Sequence, residues 1–421
     1  MTTSSKPPHK LDNTPPQTPA LGFYGADPAD PEYQQDPYPG YFELRETQPV
    51  NLTPLGNWRL SRYDDCVRLL RHVPAGMRLA DGGIPGQQAN EDSAPPSFML
   101  LQDGAPHTRL RKLVSRGFTP RAAQEWRPRI EAIAHELVDQ IPIGEETDLI
   151  ARLALPLPAT LICELMGVPA EDRDLFTRWT ADATHGLVTV WGEASEDILK
   201  RVEEARNGLI GYFSRLIQSR RNQPGDDLID VLIAAEEDGD RLSPEELMAN
   251  CIGLLVAGFE TTIGLIGNGL TTLIQHPAEF AKLKNRPELI ESAVEECLRY
   301  CGPITETIRI MHEEAEFDGF VIPKNASVGV MTAAANRDPD HYENPEVFDI
   351  ERWAKNPAPP PHLAFGGGAH FCLGAHLARL ETQAAIGTFV QRFDEVELVN
   401  KKPEWGRSLF RVPGRVPVRL G

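Results

Sequence analysis

Little in this sequence points toward a charged polymer, an oxidising compartment or a bilayer. Basic residues are outnumbered: 42 Lys and Arg stand against 61 Asp and Glu, for a formal net charge of −19. That deficit removes the electrostatic footprint of a nucleic-acid binder. Cysteines are few, at positions 66, 163, 251, 297, 301 and 372, and their spacing makes no disulfide scaffold. A reducing, cytoplasmic setting is expected. There is no internal repeat. Residues 1–20 are polar and proline-rich and lack an apolar signal core, so they read as a disordered tail with no membrane anchor. One stretch, Leu247–Ile274, carries Glu260 as its only charged side chain. Its length would span a membrane. A central glutamate is costly in lipid, however, the basic flanks are weak, and no second span exists. The expectation is a long helix crossing the core of a globular protein.

What is present builds a large core, with 41% hydrophobic residues in a chain of 421. A short helix is expected from Pro37 to about Gln48, then a small sheet near Val50–Leu60. Residues 73–104 are rich in Gly, Pro and polar residues, and so long a loop in a compact domain is functional or disordered. Helical patterns dominate from Pro106 to Tyr300, one of them opened by Pro287 and Glu288. Short β-like runs return between Thr307 and Met331. Residues 340–363 are irregular, a helix follows from about Gly374 to Phe393, and strands close the chain. The fold class is therefore mostly α with minor β sheets. The long apolar helix opens on Ser243-Pro244-Glu245-Glu246, a capping box. Its five glycines, at 253, 258, 264, 267 and 269, cost about 1 kcal/mol each against alanine, which implies close packing or a distortion.

Cys372 sits in the run FGGGAHFCLGAHLARLE, between loose glycines and a helical pattern. A helix N-terminus stabilises a thiolate. Three readings compete: a buried structural thiol, a nucleophile with a histidine base, or a thiolate ligand to haem iron. The glycines do not make a phosphate loop, because no Gly-Lys-Ser/Thr follows. His370, Cys372 and His376 lack a second ligand pair at zinc spacing.

Phe365, Gly368, His370, Cys372 and Gly374 match, position for position, the haem-binding signature Phe-x-x-Gly-x-His/Arg-x-Cys-x-Gly. The chain thus resembles the cytochrome P-450 superfamily, in its soluble bacterial haem-thiolate form, over about residues 35–421. The resemblance implies one P-450 domain over residues 21–421, with a long central helix over haem b (iron protoporphyrin IX). Cys372 would be the iron ligand. His107, Arg111, Arg309 and His370 would contact the haem propionates, and Ala257, Phe365, Gly366 and Gly374 would also bound the cofactor. Ala257-Gly258-Phe259-Glu260-Thr261-Thr262 resembles the family's oxygen-activation motif, where the helix opens locally. It makes Glu260 and Thr261 the candidate catalytic pair for proton delivery. By composition alone, Thr261 could instead merely bond back to a carbonyl.

Glu296 and Arg299, three apart on one helix face, read either as a surface ion pair or as the family's Glu-x-x-Arg pair. In the second reading Arg352 completes a buried structural trio. In the helix of DGAPHTRLRK, His107 and Arg111 share one face. Arg109, Lys112 and Arg116 share roughly the opposite one, as about 100° per residue dictates. The plain reading is an ordinary basic surface helix; by the resemblance the outward set would form a positive patch suited to an acidic ferredoxin. By resemblance the substrate pocket draws on Leu100, Leu101, Val256, Ile304, Thr305, Ser408 and Leu409, and on the segment Thr180–Trp191. The implied reaction inserts one atom of O2 into a hydrophobic small molecule, by hydroxylation or epoxidation. Electrons would come from a ferredoxin and its NAD(P)H-dependent reductase. A peroxide-driven peroxygenase and a haem or ligand sensor are the alternatives.

Overall fold

The computed structural model describes residues 33, 35–53, 56–83, 98–189, 196–225, 227–237, 241–405, 408 and 410–421. The expected tail at 1–20 lies outside them. The described chain is mostly helical with small sheets. Four helices position the site: Gly104–Val114 (α1), Pro244–Gln275 (α2), Ile290–Cys301 (α3) and Ala375–Arg392 (α4). Others, among them Pro120–Asp139, Arg173–Thr189 and Glu196–Asn222, surround them.

Helix α2 starts where its capping box predicts. The Ser243 hydroxyl accepts from the Glu246 amide at 3.1 Å, and the Glu246 carboxylate accepts from the Ser243 amide at 2.8 Å. Its apolar run is explained by burial, not by lipid. Leu265, Ile266, Leu270 and Leu273 pack with Ala293, Val294 and Cys297 of α3 and with Ala385, Ile386 and Phe389 of α4. Its first half, through Leu247, Cys251 and Leu255, joins a second cluster with Leu110, Leu113 and Val114 of α1. A helix that is apolar on most of its circumference is one enclosed by neighbours.

The largest sheet has the order β1 (Val50–Leu52), β2 (Trp58–Leu60), β5 (Ser327–Val330), β4 (Thr307–Met311), β3 (Ala75–Gly76). Strands β2 and β5 are parallel, with Leu60 opposite Val330. Strands β5 and β4 are antiparallel, with Thr307 opposite Val330, and β3 closes the edge with Ala75 opposite Met311. The long loop therefore leaves from a strand fastened to the sheet. It returns as the short 3-10 turn Met99–Leu101, and residues 84–97 lie outside the described set.

Two local expectations change. The helix expected from Pro287 is a 3-10 turn, Pro287–Leu289, before α3 begins at Ile290. The local opening expected in α2 is absent: Pro244–Gln275 is helical throughout. Nothing forces the backbone apart at Gly258, where an added Cβ would meet no atom within 4 Å. The other four glycines answer to close packing. At Gly253 an added Cβ would lie 2.3 Å from the Phe98 ring, and at Gly269 2.9 Å from Ile386.

Candidate active site

The cysteine loop is a folded turn held by its own backbone. The Gly366 amide donates to Leu363 O at 2.8 Å, Phe371 to Gly368 O at 3.1 Å, and Cys372 to Phe365 O at 3.0 Å. Gly366 and Gly368 have φ of +68° and +66°, the left-handed region where glycine costs least. At Gly368 a side chain is excluded twice over, since its Cβ would lie 2.0 Å from Leu70 O. Cys372 precedes α4 by three residues, not within its first turn. The residue keeps accessible surface although protein surrounds it, as for a group that lines an internal space. Burial pushes the thiol up, while the Gly374 amide, Arg111 and Arg379 pull it down.

Around this loop the fold gathers basic side chains from three elements. His107 and Arg111 come from α1, Arg309 from β4, and His370 from the loop itself. The His107 and His370 rings lie 4.2 Å apart. Arg111 donates to Phe371 O at 2.6 Å, joining α1 to the residue before the cysteine. His107 is buried, and burial, then His370 and Arg111, lower it to about 4. Arg309 is also buried, and burial lowers it to about 10 despite Asp103. Its guanidinium reaches Ile308 O at 2.6 Å and no carboxylate among the described residues directly. His370 Nδ1 is buried without a hydrogen-bond partner. At pH 7 His107 is thus neutral, and Arg111 and Arg309 have no direct carboxylate partner among the described residues.

The residue that sequence reasoning passed over is Asp103. It precedes α1 but does not cap it. Its carboxylate accepts from His370 Nε2 at 2.9 Å and from the Met77 and Arg78 amides at 2.8 and 2.9 Å. Its place before the His107–Arg111 pair was the one available signal. These bonds join residues remote in sequence.

Across the fold, Ala257 is exposed at mid-helix in α2, and Glu260 and Thr261 are half-buried. The Thr261 hydroxyl donates back to Ala257 O at 2.8 Å. The buried trio has dense bonding. Arg299 donates to both Glu296 oxygens at 2.8 and 2.7 Å, and Arg352 Nε to both at 3.1 and 3.2 Å. The Asp349 amide and Trp353 indole add bonds at 3.1 and 3.2 Å. Glu296 is fully buried, so the surface-pair reading fails.

The candidate pocket residues diverge. Val256, Ile304 and Thr305 are half-buried, whereas Leu100 and Leu101 are each 41% exposed. Ser408 is buried, its hydroxyl accepting from the Phe410 amide at 2.9 Å. Leu409 lies outside the described residues, as do residues 190–195 and the side chains of 185–189. The outward basic set needs a correction. Arg109 is ion-paired with Glu246 and donates to Arg241 O at 2.7 Å, so it braces α1 against the start of α2. Lys112 and Arg116 are exposed.

The family model for cytochrome P450 matches residues 193–408. The vitamin D(3) 25-hydroxylase of Pseudonocardia autotrophica is 40% identical over 90% of this chain and 94% of its own. The chain belongs to the cytochrome P450 family. The 6-deoxyerythronolide B hydroxylase of Saccharopolyspora erythraea is 37% identical over 92% of this P450 and 97% of its own length. The solved structure of the polyketide synthase cytochrome P450 PksS from Bacillus subtilis 168 superposes with a TM-score of 0.82. It is 36% identical, covering 94% of this chain and 99% of that one. As a P450 monooxygenase, the protein is an oxidoreductase with iron protoporphyrin IX as cofactor. Its residues fit that group. Two arginines with no direct carboxylate partner among the described residues, beside an unpartnered buried His370 Nδ1, suit two carboxylates. The positions where an added Cβ meets nothing within 4 Å include Gly258 of α2 and Gly374 beside the thiol.

Proposed function

We propose that this P450 oxidises a hydrophobic small molecule of secondary metabolism, by hydroxylation or epoxidation. In this reading Cys372 ligates the haem iron, and His107, Arg111, Arg309 and His370 hold the haem carboxylates. Ala257, Phe365, Gly366 and Gly374 bound the ring. Haem, when bound, supplies oxygen activation, and a thiolate ligand donates electron density that favours O–O cleavage. The chain's own residues supply the rest. Thr261, whose hydroxyl needs only to leave Ala257 O, offers a hydrogen bond on the α2 side, and Glu260 relays protons from solvent. Glu296, Arg299 and Arg352 hold α3 to the irregular segment that precedes the cysteine loop. Half-buried Val256, Ile304 and Thr305 contribute to the substrate pocket, together with Ser408.

The observation that carries this reading is the pair Arg111 and Arg309, without a direct carboxylate partner among the described residues, with Arg111 tied to the residue before Cys372 and His370 Nδ1 left unpartnered beside them. Electrons come from a ferredoxin and its NAD(P)H-dependent reductase. The ferredoxin docks on the face of Lys112 and Arg116, which are exposed on a strongly acidic protein. The setting is the cytoplasm, in keeping with six cysteines that are all free. Hydroxylases of vitamin D(3) and of 6-deoxyerythronolide B among the relatives support terpenoid, steroid or polyketide substrates.

The test is the difference spectrum of the reduced, carbon monoxide-treated protein. A red-shifted Soret band is expected, and it should vanish in Cys372→Ser while haem still binds. A Soret position unchanged by that substitution rejects Cys372 as the ligand. Substrate class is then read by screening terpenoid, steroid, fatty-acid and macrolactone libraries for the low-to-high spin shift.

A further inference from the structure

Asp103 draws together three segments that lie far apart in the sequence. It ends the loop that begins after β3, and it stands at the N-cap position of α1. The carboxylate does not serve α1, although an aspartate in that position usually accepts from the helix amides. It reaches outward instead. One oxygen accepts from the Met77 and Arg78 amides at 2.8 and 2.9 Å. The other accepts from His370 Nε2 at 2.9 Å.

The surroundings are built for that placement. An added Cβ at Gly76 would lie 2.3 Å from the Asp103 carboxyl atoms, so only glycine lets the carboxylate lie there. Arg78 closes the same neck from the other side, its Nε donating to Leu101 O at 2.7 Å. His312 Nε2 lies 3.2 Å from Arg78 O and 3.8 Å from the Asp103 carboxylate. The outgoing end, residues 76–78, and the returning end, residues 101–103, are thereby fastened to each other. Beyond the neck, the returning segment packs on α2: the Met99 amide donates to Asn250 at 3.2 Å, and Phe98 covers Gly253. The clasp would hold without His370. Yet Asp103 extends its second oxygen to that ring, two residues before Cys372, and His370 Nδ1 is left aimed at no protein acceptor or donor.

We propose that Asp103 is a positioning residue that fastens the neck formed by residues 76–78 and 101–103 to His370, so that closure of this neck and retention of haem are one coupled property. This rests on the reading of His370 as a contact of the haem carboxylates. Charge-assisted hydrogen bonds of this kind fix a ring's orientation as well as its position. An opening of the neck would release the ring, and a loosened cofactor would release the neck.

The test uses the full-chain holoenzyme and two readouts. One is the rate of haem transfer to excess apomyoglobin. The other is chymotryptic cleavage within residues 79–101. Asp103→Ala and the gentler Asp103→Asn should each raise both rates about tenfold. Gly76→Ala, which displaces the carboxylate without removing it, should do the same. In a His370→Ala background, Asp103→Ala should change haem transfer by less than twofold while still exposing the loop. Faster cleavage with unchanged haem transfer would make Asp103 a simple loop clasp and overturn the proposal. Fully additive effects on haem transfer would overturn it too, because Asp103 would then act independently of His370. Should His370→Ala alone leave haem transfer unchanged, the reading of His370 fails first, and the proposal falls with it.

Discussion

Glu381 of α4 offers a stability experiment with a definite sign. It lies nine residues after Cys372 and is 4% exposed. One carboxyl oxygen has no hydrogen-bond partner. Burial raises its pKa from 4.5 to about 8, so the folded protein holds this carboxyl neutral at pH 7. Below pH 4.5 both folded and unfolded chains are protonated there, and the group has no effect on the balance. Between pH 4.5 and 8 the unfolded chain is ionised while the folded chain keeps its proton. Stability then falls as pH rises, by about 1.4 kcal/mol per pH unit. Over the whole interval the loss is roughly 5 kcal/mol, and it levels off above pH 8.

Glu381→Gln removes the titration while keeping shape. Its melting temperature should match that of wild type near pH 5 and exceed it progressively toward pH 8.5. With an unfolding entropy near 2.1 cal/mol/K per residue, the gap at pH 8.5 should be about 5 °C. The assay is a melt of the holoenzyme at fixed scan rate across that pH range, followed by far-ultraviolet circular dichroism. A gap that does not change with pH would show that Glu381 does not titrate on its own in the folded state. A wild type more stable than Glu381→Gln at pH 8.5 would mean that the ionised carboxylate has a partner, and the reasoning would be refuted.

Three further outcomes follow from the same geometry. Glu296→Ala strands Arg299 and Arg352 in the core, and removing one partner of a buried ionic group costs about 3–5 kcal/mol; the urea midpoint should drop accordingly, and an unchanged midpoint would place the trio in contact with water. Thr261→Ala should raise the ratio of peroxide released to product formed while the overall rate of reductant consumption persists; a constant ratio removes Thr261 from proton delivery. Lys112→Glu with Arg116→Glu should raise the KM for an acidic ferredoxin about tenfold at low salt and much less at high salt. Arg109→Ala should instead lower thermal stability with the ferredoxin KM unchanged, since Arg109 serves Glu246.

The sequence was most legible where a short run carries its own geometry. The cysteine loop was, because its glycines and its histidine lie within ten residues of the thiol. So was α2, whose cap and apolar run are local. The trio was legible as a spacing, Glu296 with Arg299, joined to an arginine further along. What the sequence misjudged depended on distant partners. The face of α1 carrying Arg109 was outward by helical geometry, yet the chain returns 137 residues later with Glu246 to cover it. The opening expected at Gly258 did not appear: Pro244–Gln275 is one continuous helix.

By itself, then, the sequence determined which atoms are available for chemistry: a thiol on a glycine loop, an acid–hydroxyl pair in mid-helix, and a set of cations at helical spacing. These are properties of contiguous residues, read through periodicity and capping. Tertiary structure alone decided how those groups are balanced. It brought Asp103 to His370 across 267 residues, buried Glu381 without a partner, and left Arg111 and Arg309 without a direct carboxylate partner among the described residues. Desolvation and charge pairing depend on what surrounds a group in space, and a linear pattern carries no record of neighbours that arrive from elsewhere in the chain.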